Sequence, residues 1–126
     1  MIHLESNFQI QVVRSLRAAG FLVFSVPNGQ RLQLRRAAIA KAEGLLSGVS
    51  DLIVVLPRGR VVFVEIKSPN GKGRQSENQK NFQQAVEKRG HLYMVWEGWP
   101  EVQAFINEFA TDERRLDDDF KVGGTD

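Results

Sequence analysis

The chain contains no cysteine, and its two histidines, His3 and His91, have no partner at the spacing of metal ligands. Disulfide bonds and thiolate metal sites are therefore excluded, and a histidine-based zinc site is disfavoured. No apolar run approaches the ~20 residues that a membrane-spanning helix needs, and no basic segment followed by an apolar stretch opens the sequence. These absences favour a protein of the cytoplasm, without membrane association.

The composition is that of an ordinary globular protein, because 42% of the 126 residues are hydrophobic and 25% are charged. The net charge of +2 is unevenly distributed: residues 1–99 hold 14 basic and 7 acidic side chains, whereas residues 100–126 hold 3 and 8. A basic body suits a polyanionic partner, although a solvated surface explains the same count equally well. We expect one domain over residues 1–110 and an acidic, flexible tail over residues 111–126.

Hydrophobic periodicity and turn residues predict the element order α-β-(α)-β-β-α-β-α. The predicted elements are a helix over about 4–19, a strand over 21–26, a helix over 35–46, strands over 52–56 and 61–66, a helix ending at Gly90, a strand over 91–96 and a closing helix from Pro100. The strand over 52–56 is apolar at every position, which is typical of a strand covered on both faces. The order therefore predicts an α/β fold, with a mixed central sheet of about four strands flanked by helices.

Two acids and a lysine stand at the ends of two otherwise apolar strands, with Asp51 before the first strand and Glu65 and Lys67 at the end of the second. Burial of each charge is unfavourable unless a partner or a metal compensates, so the trio indicates a site. Taken singly, Asp51 is explained as a cap, and Glu65 with Lys67 as a solvent-facing pair. Together, the two carboxylates and the backbone carbonyl of Ile66 could bind a hard divalent cation, while Lys67 stabilises charge on a phosphate.

The register of the hairpin determines whether the two acids meet, because strand side chains alternate between faces. Direct pairing of Leu56 with Val61 would turn Asp51 away from Glu65. We therefore predict an odd-length loop, such as one that sets Pro57 opposite Val61, or a bulge in the turn. An Asp51 that lies beyond its strand and bends inward would serve equally well.

Asp51 followed by Glu65-Ile66-Lys67 resembles the core motif of PD-(D/E)xK nucleases, and more of the chain is similar to one family. The segments that carry this resemblance are Glu5, Pro27-Asn28-Gly29, Lys41-x-Glu43-Gly44-Leu45, Gly48-x-Ser50-Asp51-Leu52, Glu65-x-Lys67-Ser68 and Gln75-Ser76-x-x-Gln79-x-x-Phe82. Together they resemble the virus-type replication-repair nuclease (VRR-NUC) domain over about residues 4–97. Ser50 stands where members often have proline, which alters a backbone preference and not a ligand.

The resemblance implies a restriction-endonuclease-like PD-(D/E)xK core in the order α-β-β-β-α-β, with an extra helix before the second strand. It implies a metal-dependent, structure-selective DNA endonuclease that hydrolyses phosphodiester bonds through a water activated by Mg²⁺ or Mn²⁺. The stand-alone type resembles Holliday-junction resolvases, which implies a homodimer acting on branched DNA in the cytoplasm of a bacterial or phage-infected cell. Two alternatives stay open: a non-catalytic nucleic-acid-binding module with the same fold, and the same chemistry on RNA.

The resemblance also assigns residues to the site. The implied catalytic residues are Glu5, Asp51, Glu65, Lys67 and Gln79. The implied metal ligands are Glu5, Asp51, Glu65 and the backbone carbonyl of Ile66. Glu5 and Gln79 have a second interpretation, because an acid in the first turn of a helix favours the helix dipole and Ser76-x-x-Gln79 is a capping-box sequence. Basic residues around the site are candidate phosphate contacts. These are Arg31, Arg35, Arg36, Lys41, Lys72, Arg74 and Lys80.

Overall fold

The structure, a computed structural model, describes residues 4–27, 34–71 and 73–123, without the side chains of 34, 35 and 117–123. This part of the chain holds four helices and four strands in the predicted order. The helices are α1 (Leu4–Ala18), α2 (Leu34–Ala42), α3 (Glu77–Lys88) and α4 (Trp99–Gly123). The strands are β1 (Leu22–Ser25), β2 (Leu52–Leu56), β3 (Arg60–Ile66) and β4 (Leu92–Trp96).

The four strands form one mixed sheet in the order β1-β2-β3-β4, as the sequence predicts. β1, β2 and β3 pair antiparallel, and β4 pairs parallel to β3 after a crossover through α3. Because β2 and β3 run in opposite directions, Asp51, just before β2, and Lys67, just after β3, lie at the same end of the sheet.

Helices α1 and α4 cover one face of the sheet. Val12 and Leu16 of α1 and Phe105 of α4 pack in one buried cluster with Val54 and Val64 of the sheet, and none of these side chains is more than 2% exposed. Full burial of such side chains contributes about 1.5–3 kcal/mol each, so this face holds most of the apolar stabilisation.

Helix α3 covers part of the opposite face. The ring of Phe82 packs edge-on against Phe63 of β3, with 5.3 Å between ring centroids, and it also contacts Tyr93 of β4. The β1 side of this face is less covered, because Leu22 and Phe24 are 60% and 42% exposed. The site lies on this face, between α3 and the strand ends.

Two predicted helix ends are wrong. α2 ends at Ala42, earlier than predicted, because Gly44 adopts a φ of +118° and the Leu45 N–H donates back to the Ala40 carbonyl. α4 continues to Gly123, where the sequence predicts a frayed tail from residue 111. Tertiary contacts favour this extension, because Arg60 donates to Asp112 at 2.7 Å and stacks over Phe109. Flexibility of residues 111–126 and the domain limit at residue 110 stay predictions.

Gly48 lies where the loop after α2 meets the first turn of α3. Its φ is +90°, and a Cβ atom there would lie 2.4 Å from the carbonyl oxygen of Asn78. The loop is also held by a hydrogen bond of 2.9 Å from Asn78 Nδ2 to Ser47 Oγ. We expect Gly48→Ala to lower the free energy of unfolding by about 2–4 kcal/mol, because both backbone strain and a steric clash must be relieved.

Gly44→Ala is the matched control, because its φ of +118° is equally unfavourable for alanine but nothing lies within 4 Å of the added methyl group. We expect a loss of about 1–2 kcal/mol there, from strain alone. Urea unfolding of both variants measures the difference. Equal losses would contradict a structural role for the contact with α3.

Candidate active site

The length of the loop between β2 and β3 determines which residues of the two strands point to the same face of the sheet. Leu56 pairs with Arg60, so the loop has three residues, and the last two have φ values of 67° and 76°. The predicted odd loop length is therefore confirmed. The pairing of Pro57 with Val61 is wrong, because this tight turn shifts β3 by two residues relative to that register.

The observed register aligns Asp51 with Glu65 at the end of the sheet. Asp51 Oδ2 accepts a hydrogen bond of 2.7 Å from the backbone N–H of Ile66. The backbone carbonyl of Asp51 accepts another, of 2.9 Å, from the N–H of Val26. Asp51 is thus tied to the strands on both of its sides, and its carboxylate is held against the end of β3.

Glu65 is only 2% exposed, yet within the described residues its Oε2 atom has no hydrogen-bond partner. Its Oε1 atom accepts from Gln79 Nε2 at 2.9 Å, and the Lys67 ammonium lies 3.9 Å from the same oxygen. Burial, and secondly the adjacent Asp51, raise the pKa of Glu65 to about 8, against the opposing attraction of Lys67.

The two carboxyl groups form a hydrogen bond only when one of them carries a proton, because two ionised carboxylates have no donor between them. Glu65 Oε2 therefore has no partner when both groups are ionised. Above the pKa of Glu65, the pair places two negative charges side by side, one of them buried and the other half-buried. Such a pair requires either a shared proton or a cation.

Lys67 is held in a fixed position beside the acids. Its ammonium donates to the Arg74 carbonyl at 2.9 Å and to Gln79 Oε1 at 3.1 Å. A Cβ atom on Gly73 would lie 3.1 Å from Lys67 Cδ, so the loop backbone packs closely on the lysine stem. The interpretation of Glu65 and Lys67 as a solvent-facing pair is wrong, because both side chains are buried.

Gln79 serves both the helix start and the site. Ser76 and Gln79 form a complete capping box at the start of α3, in which Gln79 Oε1 accepts from the Ser76 N–H at 2.7 Å. The same amide contacts Lys67 and Glu65, as given above. Gln79 therefore caps α3 and contacts Lys67 and Glu65 with one side chain, while its catalytic role stays a prediction.

Glu5 lies in the first turn of α1, close enough to Asp51 to feel its charge. Burial and the charge of Asp51 raise the pKa of Glu5, while Lys67 lowers it. Across residues 4–27, 34–71 and 73–123, no group of three or more histidine, aspartate or glutamate side chains is arranged to hold a metal ion. Asp51 and Glu65 are thus the two acids that lie in direct contact, and Glu5 is a third acid farther from them.

Two open clefts meet at Glu5 and Asp51, which line both of them. The first, here called the site cleft, has a volume of about 720 Å³ and is also lined by Glu65, Lys67 and Gln79. The second, here called the α1 groove, has a volume of about 710 Å³ and follows helix α1. The buried Glu65 and the half-buried Asp51 are therefore both reached from solvent.

The predicted phosphate contacts are only partly at the site. Lys41 and Arg74 line the site cleft. Arg36 on α2 and Lys80 on α3 are exposed, but they do not line either cleft. The remaining predictions fall on side chains outside the described part of the structure: Arg31, Arg35 and Lys72.

A model of the VRR-NUC domain family matches residues 8–99, which is most of the chain. The chain belongs to the VRR-NUC family. A solved structure described as a VRR_NUC domain is 25% identical, with a TM-score of 0.62 over 86% of this chain and 99% of that chain. Another, described as a VRR_NUC domain protein, shares the fold at 22% identity, with a TM-score of 0.70 over 89% of this chain and 92% of that chain. No curated protein matches.

The predicted family and its α/β core, consistent with the PD-(D/E)xK type, are therefore confirmed. A VRR-NUC domain has a nuclease-type fold, so the predicted hydrolase class is supported at that coarse level. Among the described helices, none is long and apolar enough to cross a membrane.

Beside the candidate site of this VRR-NUC domain lies a residue that the sequence did not reveal. Tyr93, on β4, is buried, and its hydroxyl accepts from Gln75 Nε2 at 3.1 Å, while Gln75 also donates to Gln83. Burial raises the pKa of Tyr93 to about 12, the hydrogen bond from Gln75 opposes this, and the charge of Glu65 adds to it. Gln75 is part of the segment that resembles the family, so it was the one indication of this hydrogen bond in the sequence. Its contact with Tyr93 could not be predicted, because it depends on the pairing of β4 with β3.

Proposed function

We propose that this VRR-NUC protein is a divalent-cation-dependent, structure-selective DNA endonuclease. The observation that carries the proposal is the pair of a buried Glu65 and a half-buried Asp51, which lines an open cleft and is stabilised by a shared proton or a cation. Perturbed carboxyl groups in a cleft are typical of catalytic and metal-binding sites. Lys67 beside the pair supplies the positive charge that phosphodiester hydrolysis needs.

The donor set fits Mg²⁺ or Mn²⁺, because the available groups are hard oxygen ligands and one of them, Glu65 Oε2, has no partner within the described residues. Asp51, Glu65 and the backbone carbonyl of Ile66 would hold the cation, and Glu5 would contact it or one of its waters. Mg²⁺ keeps several waters, so this small set suffices. When bound, the cation supplies Lewis acidity toward a water and the phosphate.

The other side chains position and neutralise the substrate. An ammonium group has three N–H donors, and two of those on Lys67 bind Arg74 and Gln79, which leaves one for a phosphate oxygen. Gln79 keeps Lys67 and Glu65 in a fixed relation to each other. Lys41 and the Arg74 side chain neutralise phosphates along the site cleft.

The non-catalytic alternative is less well supported by the geometry. Ionised carboxylates repel phosphates, so a module that only binds nucleic acid has no need for the pair Asp51–Glu65 in its cleft. The RNA alternative uses the same residues, and only the substrate distinguishes it.

Cleavage assays test the proposal directly. Labelled duplex, flap, splayed and four-way DNA, with RNA of matching sequence, are incubated with the protein in Mg²⁺, Mn²⁺ or EDTA. We expect branched DNA to be cut fastest and no cleavage in EDTA. Absence of cleavage on every substrate, with no Mn²⁺ binding at millimolar concentrations in calorimetry, would support the non-catalytic module instead.

A homodimer is the expected assembly, and its proposed interface is the exposed part of the sheet at β1. Leu22 and Phe24 flank the buried Val23, so both project from the face opposite to α1 and α4. β1 is also an edge strand of the described sheet, and such an edge is prone to pair with another chain. A second copy there would give two sites for the two strands of a junction. The expected location, the cytoplasm of a bacterial or phage-infected cell, stays a prediction.

We expect Phe24→Glu to convert a wild-type dimer to a monomer, because it places a charge in an apolar interface. Light scattering after size-exclusion chromatography measures the mass. Leu92→Glu is the matched control, because Leu92 is 36% exposed on the opposite edge strand. A wild-type monomer, or a dimer that survives Phe24→Glu, would contradict this interface.

A further inference from the structure

The α1 groove continues from the acids along helix α1. Its wall on that helix includes Glu5, Gln9, Val13 and Arg17, which are spaced four residues apart and so share one side of the helix. Arg17 lies twelve residues after Glu5, which corresponds to about 18 Å along a helix. The groove thus extends well beyond the reacting centre.

The groove has the chemistry of a surface that binds a phosphate backbone. Its acids, Glu5 and Asp51, line the end that it shares with the site cleft. The hydroxyl of Ser25 lies at the same end, because Ser25 pairs with Leu52 and the Val26 N–H donates to the Asp51 carbonyl. Farther along helix α1 lie the amide of Gln9 and finally the guanidinium of Arg17. Hydroxyl, amide and guanidinium groups are the usual partners of phosphate oxygens in complexes with DNA.

The Arg17 guanidinium is held in place before any ligand binds. Its Nη2 atom donates to the carbonyl of Val23 at 3.2 Å, which links α1 to β1. A guanidinium has five N–H donors, so this bond leaves others for a ligand. A planar group that is already oriented loses less conformational entropy when it binds a phosphate.

We propose that the α1 groove binds the DNA strand beyond the scissile phosphate, and that Arg17 contacts a backbone phosphate there. This inference rests on the proposed nuclease function. One strand of DNA advances about 3.4 Å per nucleotide along the duplex axis and also winds around that axis, so a straight separation of about 18 Å places the contacted phosphate about three to five nucleotides from the cleavage position. Arg17 is a positioning residue, because it sets where the strand lies and does not touch the reacting atoms.

The first test measures binding of a fluorescein-labelled splayed DNA duplex by anisotropy, in EDTA, at several salt concentrations. Arg17→Gln removes the charge but keeps an amide donor for the Val23 carbonyl, and Arg17→Lys keeps the charge. We expect Arg17→Gln to weaken binding about threefold to tenfold and to reduce the slope of log K against log salt by about 0.7–0.9, as loss of one phosphate contact does. Arg17→Lys should keep the wild-type slope.

Arg14→Gln is the matched control, because Arg14 lies on the same helix and does not line the α1 groove. It should change affinity less than about twofold. Equal losses for Arg14→Gln and Arg17→Gln would overturn the proposal, because the effect would then be one of net charge. Thermal unfolding of each variant checks that α1 and β1 remain folded.

The second test locates the contact. The cut position of the wild-type protein is mapped in Mg²⁺, and a neutral methylphosphonate then replaces each phosphate in turn. At one position about three to five nucleotides from the cut, this replacement should weaken wild-type binding and leave Arg17→Gln unchanged. Additive losses at every position would overturn the proposal. If the wild type cuts no substrate, the proposed function fails, while the salt slopes still decide whether Arg17 contacts phosphate.

Discussion

Asp51→Asn should abolish DNA cleavage and leave the fold intact. Asparagine keeps an oxygen that can accept the hydrogen bond from the Ile66 N–H, which is 2.7 Å long in the wild type. It removes the negative charge that would bind the cation together with Glu65. We expect the cleavage rate on branched DNA to fall at least about a hundredfold, because a transition-state charge loses its stabilisation.

Asp112→Asn is the control for this substitution. Asp112 forms an ion pair with Arg60, which begins β3, whereas Asp51 lies beside the other end of that strand. The chemical change is the same, but Asp112 lies far from the candidate site along β3. Its partly exposed ion pair contributes little to stability, so cleavage should stay within about twofold of wild type. Single-turnover cleavage rates, with circular dichroism as a check of folding, compare the two. Equal cleavage by Asp51→Asn and wild type would remove Asp51 from the site.

Glu65→Gln should stabilise the protein at pH 8 in EDTA, even though it removes a proposed metal ligand. The pKa of Glu65 is about 8 in the folded chain, against an ordinary value of 4.5. The folded chain therefore keeps a proton that the unfolded chain releases above pH 4.5. The stability from this proton is fully present below pH 4.5, declines as pH rises toward 8, and is absent above 8.

Glutamine keeps Oε1 for the hydrogen bond from Gln79 and provides an N–H for Asp51 at every pH. The variant should thus gain a few kcal/mol at pH 8, or about 5–10 °C in Tm, and the gain should vanish near pH 4.5. Scanning calorimetry across this range measures the difference. Glu108→Gln, an exposed position on α4, is the control and should show no such pH dependence.

Added Mn²⁺ should reverse the order of stability. The wild type gains the free energy of cation binding, whereas Glu65→Gln has lost one carboxylate ligand and gains less. A Glu65→Gln variant that is less stable than wild type at pH 8 in EDTA would contradict the claim that ionised Glu65 beside Asp51 destabilises the folded chain.

The sequence was informative where the physical rule was local. Alternation along a strand required an odd hairpin loop for Asp51 and Glu65 to meet, and the loop has three residues. The exact pairing depends on a left-handed conformation at Arg58. Such a conformation is expected at glycine or asparagine and not at arginine, so the sequence did not predict it. Ser50 needed the structure too, since it is buried and its hydroxyl donates to the Leu52 carbonyl at 3.1 Å.

Features that join distant segments were not predictable. Tyr93 reaches the site only through the parallel pairing of β4 with β3, and Arg17 lines a groove only because of how α1 lies against β1. The acidic composition after residue 110 suggested a tail, but the contact of Asp112 with Arg60 accompanies a longer helix. The positions of Tyr93 and Arg17 depend on contacts between distant segments, and the longer α4 helix on tertiary contacts that overrode a local preference.

The side-chain amide of Gln79 couples the arrangement of the site to the folding of the first turn of α3. Its oxygen completes the capping box of α3 and binds Lys67, while its nitrogen binds Glu65. When that first turn opens, Lys67 and Glu65 lose a shared partner at the same moment. We expect this terminus to open more readily than the sheet unfolds, so the arrangement of the site would be lost while the rest of the fold persists. A helix cap, ordinarily a small contribution to stability, is here coupled to the arrangement of the candidate site.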